Sequence, residues 1–102
     1  MFDLLGKIFG KGEDLGALIK DGALIIDVRT KEEYKAGHLK NSVNIPLSSL
    51  PSSLKKFKKE KTIITCCASG SRSASARSFM KANGFEKVYN GGSWASLRKH
   101  FN

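Results

Sequence analysis

Apolar and polar positions along this 102-residue chain change period several times, and each change predicts an element. Residues 23–28 (ALIIDV) form a nearly continuous apolar run with β-branched side chains. Such a run fits a strand covered on both faces, as in a parallel sheet. Residues 62–66 (TIITC) repeat the pattern. Shorter runs at 42–45 and 86–89 predict two further strands, the first ended by Pro46. Between the strands the period lengthens to that of a helix. Residues 15–20 predict a short helix, closed by the Asp21-Gly22 turn. Thr30 and Glu33 have capping-box spacing, so a helix starts there, and Gly37 is its stop. Leu50, Leu54 and Phe57 recur at helical spacing, with Pro51 suited to a first turn. Residues 70–82 predict a helix with Ala76, Phe79 and Met80 inward, ended by Asn83-Gly84. Gly91-Gly92 is expected to turn the chain into a last helix over 93–101, anchored by Trp94 and Leu97. Strands that alternate with helices predict an α/β fold with a mostly parallel sheet. Ligands of such sheets bind at the carboxyl ends of the strands.

The N-terminal pattern differs. Phe2, Leu4, Leu5, Ile8 and Phe9 suit one apolar helical face, and Gly10-Lys11-Gly12 breaks it. Residues 1–12 are therefore read as an amphipathic or poorly ordered segment, expected to pack on the domain or fray rather than lie on a membrane. Residues 13–102 are read as one domain. Asp3, the lack of a long apolar stretch and the lack of a small-residue cleavage site argue against a signal peptide. No run is long enough for a transmembrane helix. The cytoplasm is the expected compartment.

The net charge is +9, with five lysines packed into residues 55–61. A charge run of this kind is most simply a solvated surface, and no nucleic-acid motif accompanies it. Its functional reading is attraction of anionic substrates or an acidic partner. The only two cysteines, Cys66 and Cys67, are adjacent, so they cannot staple distant parts of the fold. They head the segment Cys66-Cys67-Ala68-Ser69-Gly70-Ser71-Arg72-Ser73, which links a predicted strand to a predicted helix N-terminus. Unpaired backbone N–H groups and the helix dipole there lower a cysteine pKa and hold an anion.

Three pieces of the chain together resemble a single-domain rhodanese. They are Ile25 to Arg29 with Glu33-Tyr34 and Ala36-Gly37-His38-Leu39; Asn41 to Leu47; and Cys67 to Ser73 with Tyr89-Asn90-Gly91-Gly92 and Trp94. The resemblance spans about residues 15–100. It implies a three-layer domain whose mostly parallel sheet has four to five strands flanked by helices. It also implies sulfurtransferase chemistry without metal or cofactor. Cys67 would be the nucleophile, taking a sulfane sulfur from a donor such as thiosulfate as a persulfide. Cyanide or a thiol would then accept that sulfur, in a ping-pong cycle. Ala68, Ser69, Gly70, Ser71 and Arg72 would form the substrate loop, while Asp27, Arg29 and Ser73 would be structural near the site. A monomer acting on small molecules is expected, without nucleic acid or stable membrane insertion.

Other readings of the same residues stand beside this one. Counted from Cys66, the segment reads Cys-x5-Arg-Ser, the signature of cysteine phosphatases and arsenate reductases, which would make Cys66 the nucleophile. A non-catalytic basic binding module is the third reading. Strand alternation turns Cys66 into the core, although it could also be a redox partner of Cys67. Arg72 either serves the anion pocket or pairs with a carboxylate. Arg29 with Glu33 is expected to form an ion pair. The serines either cap the helix or donate hydroxyls to bound sulfur, capping being preferred. His38 is read as structural, and Trp94 as core behind Gly91-Gly92.

Overall fold

The structure is a computed structural model that describes residues 12–101, so the readings for residues 1–11 lie outside the described residues. In chain order it comprises α1 (Gly12–Lys20), β1 (Leu24–Asp27), α2 (Lys31–Ala36), β2 (Val43–Asn44), α3 (Leu50–Ser53), β3 (Ile63–Cys67), α4 (Ser71–Ala82), β4 (Val88–Ser93) and α5 (Trp94–Leu97). Single 3₁₀ turns at Leu47–Ser49, Leu54–Lys56 and Arg98–Phe101 flank α3 and extend α5.

The four strands form one parallel sheet in the order β2-β1-β3-β4. Each parallel crossover needs a helix, and the helices cover both faces. On one face Ile26, Val28, Ile63, Cys67 and Val88 pack with Leu50, Ala76, Met80 and Phe85. On the other, Ile25, Ile64, Cys66 and Leu97 pack with Leu15, Leu18, Ile19 and Trp94. Alternation along β3 thus sends Ile63 and Cys67 to the α4 side, and Ile64 and Cys66 to the α1 and α5 side. All five residues of β3 are buried.

The local signals explain most boundaries. Thr30 caps α2 reciprocally: its hydroxyl accepts from the Glu33 N–H while the Glu33 carboxylate accepts from the Thr30 N–H. Three expectations are corrected. First, the helix predicted from Pro51 is a single α-turn between two 3₁₀ turns. Second, β3 runs one residue further than predicted and ends on Cys67. Third, Gly91-Gly92 does not end β4 but lies inside it, opposite a register irregularity between Thr65 and Cys67. Packing explains the third case. A Cβ on Gly91 would lie 2.7 Å from Ile64 Cγ2 and 2.9 Å from both Leu97 Cδ1 and the Thr65 carbonyl oxygen, so only glycine lets β4 lie this close. Leu97 fills the space behind it, and Trp94 packs against the same core cluster.

Candidate active site

The carboxyl end of β3 delivers Cys67 to the N-terminus of α4. Cys67 is fully buried, whereas Ala68 and Ser69 above it are exposed. The chain returns toward the sulfur at Gly70, whose φ of 107° favours glycine. Gly70 N–H donates to Cys67 Sγ at 3.0 Å and Ser73 N–H at 3.4 Å. The Ser73 hydroxyl lies 3.5 Å from the same sulfur. Burial pushes the Cys67 thiol up, but hydrogen bonding at Ser73, Gly70 and Ser69 outweighs it and leaves the pKa lowered. The result is a thiol at the focus of backbone donors, with no charged side chain among its direct hydrogen-bond partners in the described residues.

The charges nearby hold the frame. The expected Arg29–Glu33 ion pair is not formed. Arg29 instead grips Asp27 two residues back, with Nε 2.9 Å from Oδ1 and Nη2 2.8 Å from Oδ2, and both side chains are buried. Arg29 also donates to the Gly37 carbonyl at 2.7 Å and to the Glu33 carbonyl at 3.3 Å. One guanidinium thus ties the end of β1 to the end of α2, and its own pKa is raised, chiefly by the Asp27 hydrogen bonds. The Glu33 carboxylate takes Arg72 instead, in a fork of 2.7 and 3.0 Å. That bond, with the Thr30 N–H, lowers Glu33 to about 2. Of the two roles open to Arg72, carboxylate pairing is the one observed.

The model of the rhodanese-like domain family matches residues 12–97. The chain belongs to the rhodanese-like family. Among solved structures, the human single-domain sulfurtransferase TSTD1 shares 29% identity with it and superposes with a TM-score of 0.76, over 85% of this chain and 92% of that one. A rhodanese-related protein of Thermoplasma volcanium is 32% identical with a TM-score of 0.74, over 86% of this chain and 87% of its own. A curated relative from Cronobacter sakazakii, named tRNA uridine(34) hydroxylase, is 35% identical over 78% of this chain but only 25% of its own length. Its namesake in Escherichia fergusonii is 38% identical over 74% and 23% respectively. The chain therefore spans about a quarter of the length of these curated relatives.

For a rhodanese-like domain, the remaining residues divide clearly. Cys66, the head of the alternative signature, faces away from the loop into the α1 and α5 side. Burial and the neighbouring Asp27 charge push its thiol up to about 12. Both cysteines are free. The preferred reading of the serines as helix caps is not met. Gly70 is the N-cap, without a side-chain bond, and Ser69 and Ser71 are exposed. The Ser73 hydroxyl instead donates to Asn90 Oδ1 at 2.6 Å. Asn90 was missed as a site residue; its signal was the Asn-x-Gly spacing to Gly92, whose N–H donates to Oδ1 at 2.9 Å. The guanidinium groups of Arg29 and Arg98 each lie over the Trp94 ring, 4.7 and 4.9 Å from its centroid. His38 stacks on Tyr34 at 3.7 Å, away from the sulfur's bonding partners. Among the described residues, no three His, Cys, Asp or Glu side chains converge as metal ligands would.

Proposed function

We propose that this protein is a sulfurtransferase in which Cys67 carries the sulfur. The observation that bears the reading is the Cys67 sulfur at the N-terminus of α4, facing the Gly70 and Ser73 N–H groups. Backbone donors of this kind stabilise a thiolate before attack and a persulfide anion after it. In the first half-reaction the thiolate attacks the outer sulfur of thiosulfate. The new S–S bond forms as the sulfur–sulfur bond of the donor breaks, and sulfite leaves with the electron pair. In the second, cyanide or a thiol attacks the outer sulfur, and Cys67 regains its electron pair as thiolate. Ala68, Ser69, Gly70, Ser71 and Arg72 line the donor's path. Asp27, Arg29 and Ser73 brace it, with Asp27 and Arg29 acting through the end of β1.

The phosphatase reading needs Cys66 as nucleophile, and its raised pKa and opposite orientation weigh against it. The reading treats residues 13–102 as one domain, preceded by a short segment and working as a monomer. It places the protein in a reducing compartment such as the cytoplasm, which keeps Cys67 a thiol.

The test is the intact mass of the reduced protein after incubation with thiosulfate, and again after cyanide. A gain of one sulfur on Cys67, removed by cyanide, is expected. No gain, with hydrolysis of an aryl phosphate, would transfer the chemistry to Cys66. Neither signal, with salt-dependent binding to a polyanion, would favour the basic binding module.

A further inference from the structure

The Asn90 side chain sits where β4 meets the cysteine loop, and its orientation is fixed by two backbone groups of opposite kind. The Gly92 N–H can only donate, and it faces Oδ1 at 2.9 Å. The Gly70 carbonyl can only accept, and it faces Nδ2 at 3.3 Å. The amide oxygen therefore points at Ser73. Ser73 has one hydroxyl proton and three candidate acceptors. Asn90 Oδ1 lies at 2.6 Å, the Gly70 carbonyl at 3.1 Å and Cys67 Sγ at 3.5 Å. The shortest of these takes the proton.

We propose that Asn90 is a positioning residue of the sulfur site: by taking the Ser73 proton it turns the Ser73 oxygen lone pair, rather than the proton, toward Cys67. The inference deepens the sulfurtransferase reading and rests on it. With the thiol protonated, its S–H donates to Ser73 Oγ. Once the thiol has lost its proton to solvent, that lone pair faces a thiolate and disfavours charge on the inner sulfur. When a sulfane sulfur is bound, the charge moves to the outer sulfur and the penalty ends. The Ser73–Asn90 pair thus favours the loaded cysteine over the bare thiolate. The Ser73 hydroxyl can stabilise the thiolate only by releasing Asn90, so lowering of the Cys67 pKa falls to the N–H groups. The other charged group facing Cys67 is Arg72 of α4, already held by Glu33 of α2. Cys66 and the Asp27–Arg29 pair of β1 act from behind β3, and β4 contributes no charged side chain.

The test is the pH midpoint of Cys67 alkylation by iodoacetamide, read by peptide mass in wild type, Asn90→Ala, Ser73→Ala and the double variant. With Asn90 removed, the thiolate becomes the charged acceptor for the Ser73 proton, and the midpoint should fall by about one unit. Ser73→Ala alone should not raise it. In the Ser73→Ala background, Asn90→Ala should not move it. An Asn90→Ala midpoint that is unchanged or raised, or that falls equally without Ser73, overturns the proposal. Should Asn90→Ala not fold, Ser73→Ala decides alone, because a rise of about one unit would mean that the hydroxyl already donates to the thiolate. Sulfur uptake by wild type is scored separately, so failure of the sulfurtransferase reading would show as normal alkylation without sulfur gain.

Discussion

Cys66 and Cys67 share a peptide bond and little else. Both are fully buried. On one face of β3, Cys66 meets Ile25, Ile64 and Leu97, and its thiol is pushed up to about 12 by burial and the Asp27 charge. On the other face, Cys67 meets the turned backbone of the 67–72 loop and its pKa is lowered. Burial is common to both, so burial alone does not decide reactivity. What separates them is the direction of backbone N–H groups at a helix N-terminus. The one-residue alternation of a strand is enough to raise the pKa of one thiol and lower that of its neighbour.

The largest expected effect breaks this contrast outright. Cys67→Ser should abolish sulfur loading from thiosulfate, while Cys66→Ala should load normally at a stability cost of about 1–2 kcal/mol for a trimmed core side chain. Equal loss in both, by intact mass, would mean that the two faces are not independent. Next in size comes the frame behind Cys66. Arg29→Met strands the buried Asp27 carboxylate and frees the Gly37 carbonyl, and should cost about 3–5 kcal/mol by urea denaturation. A loss below about 1 kcal/mol would show that water, not Arg29, satisfies Asp27.

How much of this was legible in the sequence follows from the range of each interaction. The four strands, the Thr30–Glu33 cap and the cysteine loop could be read because each is written within a few residues. The Gly91-Gly92 pair reads locally as a turn, yet it lies within β4 because Ile64 and Leu97 leave no room for a side chain. Arg29 and Glu33 have helical ion-pair spacing, but Arg29 precedes the helix, so that geometry does not apply to it. Arg29 turns back to Asp27, which leaves the Glu33 carboxylate for Arg72. No local pattern announces a contact between side chains 39 residues apart. The bond of Asn90 to Ser73, 17 residues away, was hidden for the same reason, although its turn to Gly92 is local.

Glu33→Gln tests the proposal that the loop would hold an anionic donor by backbone rather than by side-chain charge. Glutamine keeps the capping box, so α2 should persist. Arg72 loses its carboxylate and turns toward the loop, and the KM for thiosulfate should fall about two- to five-fold. The variant should also lose part of the acid limb of stability. Glu33 has a folded pKa of about 2, below its unfolded value. Its contribution is therefore complete above about pH 4.3 and fades as the pH falls toward 2. Half-exposure of the pair keeps this contribution small. A KM that rises in Glu33→Gln would mean that Arg72 contacts the donor only while Glu33 holds it in place.

The smallest effect belongs to the most conspicuous charge. Lys58, Lys59 and Lys61 are exposed just ahead of β3, at the end opposite Cys67, and none pairs with a carboxylate among the described residues. Lys61 reaches the Gly22 carbonyl at 3.2 Å, and Lys59 lies 5.5 Å from the Phe85 ring. The five residues of β3 span about 16 Å, roughly two Debye lengths at physiological salt. Screening should therefore leave these lysines little influence over a donor at the sulfur. The triple change Lys58→Gln, Lys59→Gln and Lys61→Gln should move the thiosulfate KM by less than about two-fold at 0.15 M salt. At low ionic strength the +9 field reaches the loop, so KM should rise as salt is added to wild type and rise less in the variant. A ten-fold KM increase in the variant at 0.15 M salt would mean that the donor engages the basic end itself, and that backbone donors at Cys67 do not suffice to bind it.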